Sequence, residues 1–211
     1  MDVAVAVAVG AGADVLAFNN ATVAPTIVRN AGSFGFTPTF PNPVNVTYIG
    51  GNATTTFSSE VPTSGTGLNN LTIATTGAGT VIANANFTVN GTLTINSGQT
   101  FDINSRIVTV NSAAINVAGT GTWASTSGYL SLNRAGGTVV TTAGALPEVR
   151  VAVGSLANTL SGTGISIGTS QDLTFGAGAG AVTLTFTGAG PHVRDITTAN
   201  ASNTLTLGSN V

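Results

Sequence analysis

The chain contains no cysteine and no lysine, and charged residues make up only 6% of it, against roughly 25% in an ordinary soluble domain. The missing thiols exclude disulfides and thiolate metal sites. The basic residues, Arg29, Arg106, Arg134, Arg150 and Arg194, are dispersed along the chain. Phosphate binding needs several cations on one face, so nucleic acid is excluded as a partner. The single histidine, His192, has no second imidazole for a triad or a His-based metal site, and after Pro191 it reads as a solvated corner residue. No apolar run reaches the roughly 20 residues of a transmembrane helix, so no membrane span is expected. Helix signals are scarce too, because Gly, Thr, Val, Asn and Ser dominate and all disfavour helix interiors. Solubility therefore falls to neutral hydrogen-bonding side chains, and little like-charge repulsion keeps neighbouring molecules apart.

What the chain has in quantity is repetition. Leu71-Thr72-Ile73 returns as Leu93-Thr94-Ile95 and Ile115-Asn116-Val117, 22 residues apart. A second series, Phe87-Thr88-Val89-Asn90, Val108-Thr109-Val110-Asn111 and Leu130-Ser131-Leu132-Asn133, interleaves with the first. A third runs from Phe101-Asp102-Ile103 to Trp123-Ala124-Ser125. Three series sharing one period mean three short strands per winding. The fold expected is an all-β parallel β-helix, right-handed by the usual hand of parallel crossovers. Aliphatic and aromatic residues take the inward positions, and Trp123 reads as core. Thr, Asn and Ser point outward, and Gly and Asn turn the corners.

Residues 1–66 are less regular and read as an N-terminal strand followed by a cap or irregular first coils. Residues 67–211 read as one continuous run of coils. An offset of 78 aligns Leu146–Val151 with Leu68–Ile73, which suggests a longer repeat. Val3, Val5, Val7 and Val9 alternate with alanine, the period of a strand with one face ready to be buried. The segment lacks the basic start of a signal peptide, so an exported protein would have lost its leader.

Catalysis is testable on the acids. Glycoside hydrolysis needs two carboxylates across one cleft. One period either side of Asp102 lie Thr80 and Ala124, so no acidic column forms there. Glu148, Asp172 and Asp195 do recur at 23–24 residues, but Arg150 and Arg194 flank them and surface ion pairing accounts for the set. No catalytic residue, metal site or cofactor is assigned. Asn90, Asn111 and Asn133 follow the same strand in successive windings and are expected to form an asparagine ladder. A threonine face resembling an ice-binding surface is set aside, because Thr92 and Thr94 are followed by Ala114 and Asn116 and preceded by Thr72 and Ala74. Glycosylation sequons occur at Asn20, Asn45, Asn52, Asn70, Asn86, Asn90 and Asn200.

The phrases Leu68-Asn69-Asn70-Leu71-Thr72-Ile73, Val46-Thr47-Tyr48-Ile49-Gly50-Gly51, and Phe87 through Gly98 resemble repeats of large exported bacterial surface proteins, adhesin-like or autotransporter-like. The resemblance spans roughly residues 44–211. It implies a parallel β-helix outside the cell and brings no catalytic residues with it. The expected function is that of an extracellular structural or filament protein. Its expected partner is itself, joined head to tail or by strand donation from Val3, Val5, Val7 and Val9. The alternative is an adhesin-type module binding glycan or protein along a solenoid face, and a carbohydrate-active enzyme is the third reading.

Overall fold

The computed structural model describes residues 23–34, 36–63, 67–111, 121–131 and Pro147 fully, and the strands outside these ranges by their backbone pairing. The chain is an all-β parallel solenoid, with no helix among the described residues. No helix there is long and apolar enough to cross a membrane.

Two long parallel sheets and a shorter one run along the stack. The first sheet has ten strands: Asp2–Val3, Thr26–Arg29, Val44–Tyr48, Leu68–Ile73, Leu93–Ile95, Ala114–Val117, Gly137–Thr141, Ala157–Ser161, Thr183–Thr187 and Thr204–Thr206. The second has six: Phe87–Val89, Ile107–Val110, Tyr129–Leu132, Glu148–Val151, Leu173–Phe175 and Ile196–Thr198. The third holds Thr55–Thr56, Thr80–Ile82, Thr100–Asp102 and Thr122–Ala124. A short pair, Ala145–Leu146 with Ser166–Ile167, stands apart. The three repeated phrases of the sequence are the strands of these three sheets.

Register follows from the alternation. Leu71 sits opposite Leu93, and Leu93 opposite Ile115. Leu71, Ile73, Leu93 and Ile95 are fully buried, while Thr72 and Thr94 between them face outward and are half-buried. A slip of one residue would turn every such side chain to the wrong face, so the pattern fixes the pairing. Each winding thus covers the apolar row that the winding below leaves open.

Aromatic rings pack against one another in the interior. Tyr48 stacks on Phe57 at 5.4 Å between centroids, Phe57 meets Phe101 at 5.7 Å, and Phe101 meets Trp123 at 5.6 Å. Phe87 joins edge-on to Phe57 at 5.2 Å. These distances lie in the favourable range for aromatic pairs.

Pairing crosses residue 66 without a break, since Val44 is opposite Leu68 and Val46 opposite Leu71, with a register shift between them. The 78-residue offset is overturned. Glu148–Val151 stacks on Tyr129–Leu132 in the second sheet, whereas Leu68–Ile73 belongs to the first. The similar phrases occupy different faces, because inward aliphatics alternate with polar residues on every face.

Candidate functional site

Within a chain so poor in charge, the charged groups that are buried stand out. On Thr26–Arg29 the inward residues are Ile27 and Arg29. Arg29 lies opposite Tyr48, and the same inward row continues to Ile73 and Ile95. The guanidinium therefore enters the core through the first sheet. It meets Glu60, which the turn after Thr55–Thr56 folds inward. Arg29 is 8% exposed and Glu60 1%.

Glu60 Oε1 accepts from Arg29 Nη1, from the Tyr48 hydroxyl at 2.6 Å and from the Ser58 backbone N–H at 3.1 Å. Arg29 Nη1 also donates to the Thr56 carbonyl at 2.8 Å, and its guanidinium carbon lies 5.7 Å from the Tyr48 ring centre. Arg29 Nε and Glu60 Oε2 find no partner. Burial, then the adjoining carboxylate, push the Tyr48 phenol well above its ordinary pKa. The cluster joins the strand Thr26–Arg29, the strand Val44–Tyr48 and the turn 56–60. It is closed to solvent, so it acts as a structural lock and offers no acid to an outside substrate.

The corners and the starts of the strands Val44–Tyr48 and Leu68–Ile73 carry a second polar system. Asn45 Oδ1 accepts from Asn69 Nδ2 at 2.9 Å and from the Asn70 N–H at 3.2 Å. Asn52 Oδ1 accepts from the Ala78 N–H at 2.9 Å, Asn70 Oδ1 from the Thr92 N–H at 2.6 Å, and Asn86 Oδ1 from the Ile107 N–H at 2.9 Å. In the other direction, Asn45, Asn84 and Asn90 donate Nδ2 to the carbonyls of Ala24, Phe57 and Leu68 at 2.8–3.0 Å. Each asparagine brackets its own winding to a neighbouring one, in a corner or beside the register shift between Val44 and Val46.

Of the expected ladder, Asn111 donates to Asn90 Oδ1 at 2.9 Å, and Asn133 lies outside the described residues. Among the sequons, Asn45 and Asn90 commit Nδ2, the glycan-bearing atom, to carbonyls of the preceding winding. Asn52 and Asn86 are exposed, Asn70 is half-buried, and Asn20 and Asn200 lie outside the described residues.

The outward faces are columns of hydroxyls. The register stacks Thr47, Thr72 and Thr94 before Asn116 on the first sheet. This corrects the sequence-based pairing of Thr94 with Ala74. Thr88, Thr109 and Ser131 align on the second sheet, and Thr80, Thr100 and Thr122 on the third. Thr100 and Thr122 share a hydrogen bond at 2.8 Å. Successive strands along each column are about 4.8 Å apart, and the hydroxyls of Thr100 and Thr122 close that gap to hydrogen-bonding distance.

At the N-terminal side, Asp2–Val3 pairs in parallel with Thr26–Arg29 of the same chain, Asp2 opposite Val28 and Val3 opposite Arg29. Val5, Val7 and Val9 lie outside the described residues, as do Asp172, Asp195 and His192. Asp102 accepts the Asn104 N–H at 2.7 Å in a corner. Among the described residues no group of three or more His, Cys, Asp or Glu could hold a metal ion.

The sequence reading missed the Arg29–Glu60–Tyr48 cluster. The signal was present in the alternation of Thr26-Ile27-Val28-Arg29, which puts Arg29 on the face of Ile27. No family model matches the chain, and no curated protein or solved structure matches it significantly.

Proposed function

We propose that this chain is an extracellular structural protein whose β-solenoid rods join edge to edge into filaments. The observation that carries the reading is the parallel pairing of Asp2–Val3 with Val28 and Arg29, which places this strand first in the ten-stranded sheet. A strand at the edge of a ladder presents unpaired backbone groups, a template for an equivalent strand from another copy. Exchange of the N-terminal strand between copies would replace one parallel pairing by an identical one. It would cost little, and it would propagate because a head-to-tail contact does not close.

The outward hydroxyl columns support the same reading. They are neutral, so copies approaching along any face meet almost no electrostatic repulsion. The likeness to exported surface repeats favours the cell exterior. In this reading the chain has no catalytic centre and needs no cofactor.

Negative-stain microscopy tests it. The full chain is expected to form long fibres of uniform width, and a variant lacking residues 1–10 is expected to remain as short rods with an unchanged β-sheet circular dichroism spectrum. Monodisperse rods from the full chain at high concentration, or fibres that persist after the deletion, would refute it.

A further inference from the structure

Beside the buried lock lies a cleft that the filament reading does not use. It has a volume of about 570 Å³, within the range of about 300–1,000 Å³ typical of small-molecule sites. It lies between the segment 37–40 and the turn 58–63, with Asn84 and Ala85 from the next winding completing the wall.

The lining has two kinds of surface. Pro38 and Pro62 are buried and Phe40 is half-buried, so three ring faces supply apolar area. Around them stand Thr37, Ser58, Thr63 and Asn84, of which Thr37, Thr63 and Asn84 are exposed. Asn84 directs Nδ2 to the Phe57 carbonyl at 2.8 Å, which fixes the amide and turns its Oδ1 away as an acceptor. Ser59 donates to the Phe36 carbonyl at 2.5 Å and so ties the two lips together.

Among the described residues the wall carries no charged side chain. The nearest acid in sequence, Glu60, points the other way and is spent on Arg29, Tyr48 and Ser58. A charged ligand would lose its hydration here and gain no counter-charge, which is strongly unfavourable. An entirely apolar ligand would leave the hydroxyls and the amide facing it unpaired. The occupant that satisfies both surfaces has an apolar C–H face and a rim of neutral hydroxyls.

We propose that this cleft binds a neutral saccharide, with the sugar's C–H face against Phe40 and the proline rings and its hydroxyls on Thr37, Ser58 and Asn84. A cleft enclosed by three segments makes a point contact, distinct from recognition along a solenoid face. The proposal is independent of assembly, because fibres and sugar binding are read by different measurements.

Saturation-transfer NMR on the full chain provides the test, with cellobiose, maltose, lactose and N,N′-diacetylchitobiose as neutral probes and digalacturonate as the acidic one. At least one neutral disaccharide is expected to bind saturably, and digalacturonate about tenfold more weakly or not at all. Phe40→Ala is expected to weaken binding about tenfold, and Thr37→Ala, at an exposed position that leaves the fold intact, severalfold. The distant Val23→Ala should change nothing. Absence of saturable binding by all four neutral probes, equal binding of digalacturonate, or binding untouched by Thr37→Ala would overturn the assignment.

Discussion

Replacing the buried pair Arg29 and Glu60 separately and together tests whether the N-terminal windings are locked by charge. Removing one member of a buried ion pair costs about 3–5 kcal/mol, because the other charge stays behind without its partner. The structure ranks the two single variants. In Arg29→Met the carboxylate keeps the Tyr48 hydroxyl and the Ser58 N–H, so the cost belongs near the lower figure. In Glu60→Leu the guanidinium keeps only the Thr56 carbonyl and the face of Tyr48, so the cost belongs near the upper one. In the double variant no charge remains buried. Arg29 Nε and Glu60 Oε2 are unpaired already, so apolar replacements remove two standing penalties. The double variant is expected within about 1 kcal/mol of the parent, or more stable. Urea unfolding followed by circular dichroism gives the totals. Amide exchange gives their location, since a solenoid transmits destabilisation only between neighbouring windings. Exchange should accelerate in Thr26–Arg29 and Val44–Tyr48 and stay unchanged in Leu93–Ile95. A double variant as unstable as the two singles added together would refute the reasoning.

Tyr48 sets an alkaline limit. Its phenol titrates above the usual value of 10.0 when folded, so its protonated form contributes fully below pH 10 and that contribution fades as pH rises further, by about 1.4 kcal/mol per unit. Tyr48→Phe should abolish this slope in unfolding curves measured between pH 9 and 11.5. Gly79→Ala should be the costlier of two neighbouring glycine changes, by about 1–3 kcal/mol in thermal unfolding, since its Cβ would lie 2.3 Å from the Gly51 carbonyl oxygen and 2.9 Å from that of Ala53, both backbone. Gly77→Ala meets the Asn52 side chain instead, with Oδ1 at 1.9 Å, and that exposed amide can swing aside for the loss of one hydrogen bond, about 1 kcal/mol. The combination with Asn52→Ala should then cost no more than Asn52→Ala alone, and additive losses would show that the bracket is not what the glycine accommodates.

The sequence announced the three sheets and left the N-terminal windings obscure, for one physical reason. Between Leu71, Leu93 and Ile115 the repeat holds at 22 residues, so equal phrases fall in equal places. Between Ile27 and Val46 it is 19, and between Val46 and Leu71 it is 25. A period count fails there, although alternation within each strand still marks its inner face. Alternation also marked Arg29, but a cation in an inward row contradicts the rule that apolar residues fill such rows, and only a specific partner such as Glu60 overrides it. The ladder step from Asn90 to Asn111 was legible because it lies in the regular stretch. The brackets from Asn45 to Asn70 and from Asn52 to Ala78 were not, since they span the irregular windings. The cleft beside Phe40 arises where segments distant in sequence meet, and no local pattern encodes it.

The asparagine brackets explain how windings of such unequal length can share one stack. Strand pairing runs for only two to five residues on most faces, so a large part of each winding is corner. Extra or missing residues are absorbed there and at the register shift between Val44 and Val46, where backbone groups of successive windings drift out of reach. An unpaired, half-buried N–H costs about 1–3 kcal/mol, and a stack of irregular corners would collect many. An asparagine side chain is a peptide group on a short tether. It offers one carbonyl and two N–H donors beyond the reach of the main chain itself. Asn45 and Asn90 use both ends at once, holding the winding before and the winding after. A charged side chain could serve only as donor or only as acceptor, and would have to be desolvated in the process. The scarcity of charge and the abundance of asparagine are thus two consequences of one requirement, that corners of variable length stay hydrogen-bonded along the axis of the rod.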